Sequence, residues 1–124
     1  MYHKDMPAKI LIIDDEPRNI LALAATLKAR AYQCLTAASA AQGMALLQEH
    51  PDIKLVLMDM MMPELDGYKA IPQLKQQYTV PVIAVTAQAM LGDREKCLEA
   101  GADDYIPKPI DVDRLLQLLG QYLK

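Results

Sequence analysis

The chain has 124 residues, about one domain's length, and its 52% hydrophobic content is enough for a full core. A net charge of −3 offers no basic surface for nucleic acid, and no apolar run approaches the roughly 20 residues that cross a bilayer. There is no Trp and no Phe, so aliphatic and methionine side chains must fill the interior. The opening MYHKDMPAK lacks the apolar stretch of a signal peptide, which makes the cytoplasm the expected location.

Residues 8–13, AKILII, read as a strand, and 17–30 as a helix with Pro17 suited to its first turn. Residues 32–38, YQCLTAA, read as a weaker strand. Ser39 then opens a helix, with the Ser-x-x-Gln spacing of a capping box. IKLVLM at 53–58 is a third strand. Beyond the Pro63–Gly67 loop a helical segment runs to about Gln77. Pro72 lies inside that segment, where it removes a backbone donor at a cost of about 3 kcal/mol, so the helix is expected to start late or kink near Ile71. VPVIAV at 80–85 is a fourth strand. Residues 91–100 form a helix that Gly101 can end in a left-handed conformation, and DDYIP holds a short fifth strand. Asp111 can cap a last helix with an apolar stripe of Leu115, Leu116, Leu118, Leu119, Tyr122 and Leu123. Cys34 and Cys97 form no metal-type cluster and are expected to be two buried thiols.

This is (βα) five times, with strands that read as short unbroken apolar runs. Such runs suit a parallel sheet covered by helices on both faces, a flavodoxin-like three-layer sandwich of strand order 2-1-3-4-5. All strands of a parallel sheet end on one edge. Asp14 and Asp15, Asp59, Thr86 and Lys108 each follow an apolar strand, so that edge gathers residues more than ninety positions apart. Ligands bind there where strand order reverses, between strands 1 and 3, which end in Asp14–Asp15 and Asp59. Burying an ionised carboxylate costs several kcal/mol unless it is paired. Three in one crevice repel, and a hard divalent cation with oxygen ligands, Mg²⁺, removes the conflict. A carboxylate, a metal, a lysine and a hydroxyl are what phosphoryl transfer requires.

The segments IDDE, LMDMMMPELDG, VTA and YIPKP resemble, in order and spacing, the signature segments of response-regulator receiver domains of two-component systems. The resemblance covers essentially the whole chain and implies one receiver domain over 1–124 with no output domain. It implies that Asp59 is the phosphoacceptor, taking a phosphoryl group from a histidine kinase or a histidine phosphotransfer protein. Asp15 would be the direct Mg²⁺ ligand, Asp14 would act largely through water, and the Met61 backbone carbonyl would be the third protein ligand. Thr86 and Lys108 would contact the phosphoryl group, and Tyr105 would be the aromatic switch that turns inward as Thr86 moves. The output partner has no signature here. Lys108–Pro109 is a candidate cis peptide, and Met61 and Gln88 would flank the path of hydrolytic water. The stretch from Val85 to Ile110 most resembles receivers attached to hybrid sensor kinases, which suggests a phosphorelay.

A receiver is a signalling domain that catalyses only its own phosphorylation and dephosphorylation, not a turnover enzyme. Three rivals remain. A haloacid-dehalogenase-like phosphohydrolase also uses an aspartate nucleophile and Mg²⁺, but places it after the first strand as Asp-x-Asp, which DDEP lacks. A pseudo-receiver would bind partners without phosphorylation, against the intact set of Asp14, Asp15, Asp59, Thr86 and Lys108. Flavin binding would want a Ser/Thr/Gly-rich loop where DDEPRN stands. His3 and His50 read as surface residues, and Met60 and Met62 as packing or loop residues.

Overall fold

Short, mostly apolar strands that alternate with amphipathic helices leave the backbone one favoured arrangement: parallel strands side by side, helices crossing over either face. The computed structural model describes residues 9–62, 67–86 and 92–123. The chain runs β1 (Lys9–Ile13), α1 (Pro17–Lys28), β2 (Gln33–Ala37), α2 (Ala40–Glu49), β3 (Ile53–Asp59), α3 (Gly67–Gln77), β4 (Val82–Thr86), α4 (Asp93–Glu99), β5 (Asp104–Pro107) and α5 (Val112–Tyr122). The sheet is five-stranded and parallel, in the order β2-β1-β3-β4-β5.

Strand side chains alternate between the faces, and here both are buried. Leu11, Ile13, Val56, Met58, Val82 and Ala84 pack against α2, α3 and α4 through Leu47, Ile71, Leu74 and Cys97. Ile10, Ile12, Leu55, Leu57, Ile83 and Val85 pack against α1 and α5 through Leu23, Leu27, Leu115, Leu118 and Leu119. That two-sided burial is why the strands read as unbroken apolar runs. Met60 and Met62 are buried too, filling space in a core without Phe or Trp.

Helix ends follow their local chemistry. Pro17 opens α1. Ser39 Oγ accepts the Gln42 N–H at 3.2 Å, and the Gln42 side chain accepts the Ala38 N–H at 2.9 Å, one residue earlier than a capping box requires. At the end of α4 the Gly101 N–H donates to the Leu98 carbonyl and the Ala102 N–H to the Cys97 carbonyl. With Gly101 at φ 114°, this is the left-handed stop its position predicts. Asp111 caps α5, its carboxylate accepting the Asp113 N–H at 3.0 Å. Asp111→Ala should therefore lower stability by about 1 kcal/mol, read as a shifted urea midpoint at unchanged slope.

Two expectations are corrected. The third helix does not start late: it begins at Gly67 and holds helical backbone through Ile71 and Pro72. Pro72 lies on its exposed side, while Ala70, Ile71 and Leu74 are buried around it, and that burial outweighs one lost donor. Of the two thiols only Cys97 is buried; Cys34 is half-buried on the edge strand β2, and partial burial pushes its thiol pKa up.

Candidate functional site

The carboxyl edge of the sheet assembles the site. Asp14, one residue past β1, is buried, donates its N–H to the Ala37 carbonyl at 3.0 Å and accepts the Glu16 N–H on Oδ1 at 2.8 Å. Asp59 is the last residue of β3 and is also buried; its Oδ1 accepts the Met61 N–H at 3.2 Å. Both acids thus close the same local turn, a carboxylate bonding the N–H two residues on, which fixes its direction before any long-range contact forms. Asp15 is exposed at the rim. β1 and β3 are neighbours, so one oxygen from each of Asp14, Asp15 and Asp59 lies within 4.8 Å of the others.

Lys108 enters from the end of β5. Its Nζ stands 3.4 Å from Asp59 Oδ1 and 3.8 Å from Asp14 Oδ2, and its N–H donates to the Thr86 carbonyl at 2.7 Å. The Lys108–Pro109 peptide is cis. Thr86 ends β4 and is fully buried. Tyr105 pairs in register with Ala84, two residues before Thr86, so Tyr105 and Thr86 lie on the same face of the sheet, the one covered by α2, α3 and α4. Tyr105 is half-buried against that core.

The electrostatics are those of a crowded anion. Burial raises the Asp59 carboxyl pKa above its ordinary value and the Asp14 charge raises it further; the Met61 N–H and the Lys108 ammonium pull the other way. Among the described residues, the Lys108 ammonium pairs with Asp14 and Asp59, and three carboxylates against that one charge leave the crevice negative; an all-oxygen donor set of that charge suits a hard divalent cation.

Asp14, Asp15, Asp59 and Lys108 are therefore brought together, Thr86 adjoins them through its carbonyl, and Tyr105 stands on the α4 side of the sheet. Gln88 and His3 lie outside the described residues; His50 is half-buried at the end of α2. Sequence reasoning missed the backbone amides of Glu16 and Met61 as partners of the two acids. The signal for both was present, an aspartate at a strand's end with a loop beginning two residues later. It also missed a groove of about 260 Å³ beside the crevice, between α1 and α5, lined by Asp14, Asn19, Leu23, Lys108, Ile110 and Val112 among others.

An acidic pair, a buried aspartate and a lysine at the edge of a 2-1-3-4-5 sheet define a class, and the chain belongs to it: residues 10–120 match the response regulator receiver domain family. This is a receiver domain of two-component signalling. Among curated proteins it is 39% identical over 114 residues to the sensor histidine kinase RcsC of Escherichia coli, and 40% identical over 116 residues to the signal transduction histidine-protein kinase BarA of the same species. Those alignments cover 91% of this chain and 12% of each kinase, so the chain spans about an eighth of the length of these relatives. Among solved structures, the receiver domain of sensor histidine kinase PA1611 from Pseudomonas aeruginosa superposes with TM-score 0.85 at 34% identity. That match covers 94% of this chain and 98% of that one, whose active-site cleft holds a coordinated magnesium ion. Among the described residues, no helix is long and apolar enough to cross a membrane.

Proposed function

We propose that Asp59 accepts a phosphoryl group from a phosphohistidine, and that Asp14, Asp15, Asp59 and the Met61 carbonyl hold Mg²⁺ beside it. The observation that carries this reading is Asp59 itself. It is 4% exposed with a raised pKa, close to two further carboxylates and to the Lys108 ammonium, an arrangement poor for stability and suited to a nucleophile. An Asp59 oxygen forms the new P–O bond as the P–N bond to the donor imidazole breaks. The electron pair of that bond stays on the imidazole nitrogen, which takes a proton from solvent. Lys108 supplies positive charge to the phosphoryl oxygens, and the Met61 N–H keeps the attacking carboxylate turned into the crevice. When bound, the cation neutralises charge that would otherwise keep the incoming phosphoryl group out.

The Thr86 hydroxyl, ending the next strand, then contacts the phosphoryl group, and Tyr105 on the same face turns inward to alter the surface near α4. The donor is a histidine kinase or a histidine phosphotransfer protein, and likeness to receivers of hybrid kinases supports a relay. Exposed apolar side chains favour a protein donor. Among the described residues, Leu21 (73% exposed), Met61 (49%) and Val112 (38%) are the large apolar ones left open. They lie on the segments that follow Asp15, Asp59 and Lys108 in the chain.

With acetyl phosphate and Mg²⁺, intact mass should rise by one phosphoryl group, and hydroxylamine should remove it, as it cleaves an acyl phosphate. No gain at all would leave a binding module without phosphorylation. Continuous phosphate release from monoesters would point to a phosphohydrolase instead.

Met61, half open two residues after the acceptor, should also set how long the signal lasts. Its apolar side chain over the in-line path removes a water position, so Met61→Asn should speed dephosphorylation several-fold, about 1 kcal/mol of barrier. Phosphoprotein decay after removal of the donor, at fixed Mg²⁺, measures it; a decay no faster than the parent's would show that Met61 is not the brake.

A further inference from the structure

Gly67, where α3 begins, is buried against the residue that follows the acceptor. A Cβ placed on it would lie 2.9 Å from Met60 Cα and 3.1 Å from Met60 Cε, and would run into Met60 Sδ. A methionine side chain can swing aside, but Cα moves only with the main chain. Met60 is also held from both sides: its N–H donates to the Val85 carbonyl at 2.9 Å, and its carbonyl accepts the Gly67 N–H at 3.2 Å. It is thereby clamped between β4 and the first residue of α3. Its chain neighbours are Asp59 and Met61, and the Met61 N–H reaches back past it to Asp59 Oδ1.

We infer that Gly67 is a positioning residue for the acceptor site. By letting α3 into main-chain contact with Met60, it sets the Met61 peptide, and through it the Asp59 carboxylate and the Met61 carbonyl, in the arrangement that receives Mg²⁺. This rests on the reading of Asp59 and Met61 as ligands. Mg²⁺ demands near-octahedral oxygens at about 2.0–2.1 Å, so a shift of a few tenths of an ångström at Met61 is enough to weaken it. Gly43 in α2 is the natural comparison. A Cβ there would run into Ile13 Cδ1 and lie 2.8 Å from Ile13 Cγ1, both side-chain atoms. A methyl group at 43 crowds the core; one at 67 pushes the main chain beside Asp59.

Calorimetric Mg²⁺ titration of the parent, Gly67→Ala and Gly43→Ala, with folding checked by circular dichroism and melting, separates the two effects. Gly67→Ala should bind Mg²⁺ roughly fivefold more weakly, and Gly43→Ala within about twofold of the parent at a similar or larger loss of Tm. In metal-free protein the Met61 amide should exchange faster in Gly67→Ala alone. Parent-like Mg²⁺ affinity in folded Gly67→Ala overturns the inference, as does an equal loss in Gly43→Ala. Should Gly67→Ala fail to fold, Gly67→Ala/Met60→Ala empties the side-chain clash and keeps the encounter with Cα. It should bind weakly too, and parent-like affinity there overturns the inference just as well. A parent that binds no Mg²⁺ overturns the metal reading of the site and this inference with it.

Discussion

Asp59→Asn is expected to take up no phosphoryl group and, without divalent cation, to be more stable than the parent. The first effect is all or none, because an amide has no anionic oxygen to attack phosphorus. The second follows from the crevice. Two unit charges about 4 Å apart repel by about 4 kcal/mol at an effective dielectric of 20, and among the described residues the Met61 N–H and the Lys108 ammonium offset this for Asp59. Removing the Asp59 charge forfeits the ion pair and relieves both the repulsion and the desolvation, for a net gain of roughly 1–2 kcal/mol. The pH dependence has a definite sign. Burial first, then the Asp14 charge, raise the folded pKa above the ordinary value of 3.8, which the unfolded chain keeps. The folded state therefore takes up the proton at higher pH than the unfolded state. The stabilisation from that uptake is complete below the ordinary value and is lost as pH rises through the raised one. The advantage of Asp59→Asn should be largest at neutral pH and shrink as pH falls through that window. Metal-free urea titrations of both proteins across this range measure it. A variant less stable than the parent at neutral pH would mean that Lys108 more than neutralises the acceptor.

Much of this was legible because parallel strands convert sequence order into place. Asp14, Asp59 and Lys108 each follow an apolar run, and a sheet with all strands in one direction puts them on one edge whatever the loops do. The two-sided core was legible for a similar reason, since strands such as LVLM have no polar face to offer water. What escaped depends on tertiary contact. The expectation of a late helix start around Pro72 used a helix propensity, and burial of Ile71 and Leu74 overrides a propensity of that size. Cys34 reads as buried because thiols usually are, but β2 is an edge strand and covers it only in part. The clash waiting at Gly67 has no local signal at all, for the atoms it concerns belong to a residue seven positions earlier. By contrast, the bond that each acid makes to an amide of its own loop was readable in principle, because an aspartate at a strand's end commonly accepts the N–H two residues on.

That division of oxygens decides which acid the metal should depend on. Asp14 is buried, with one oxygen on the Glu16 N–H and the other facing Lys108, whereas Asp15 sits exposed at the rim, within reach of both Asp14 and Asp59. Asp15 is thus the carboxylate least committed to the fold and most available to a cation. Mg²⁺ binds the assembled crevice and not the unfolded chain, so at a hundred times its dissociation constant it should stabilise the parent by about 2.7 kcal/mol, roughly 10 °C in Tm for a domain of this size. Asp15→Ala should remove most of that gain while leaving the metal-free Tm near the parent's or slightly above it, because it deletes a repelling charge and, among the described residues, no structural bond. Asp14→Ala should differ in kind: it loses the Glu16 bond and leaves Lys108 with one partner fewer, so its metal-free Tm should fall as well. Melts in Mg²⁺ and in EDTA at matched ionic strength read both quantities for each variant. If the parent's Tm does not move at a Mg²⁺ concentration shown by titration to bind, or if Asp15→Ala keeps the full gain, the cation is not held by these acids.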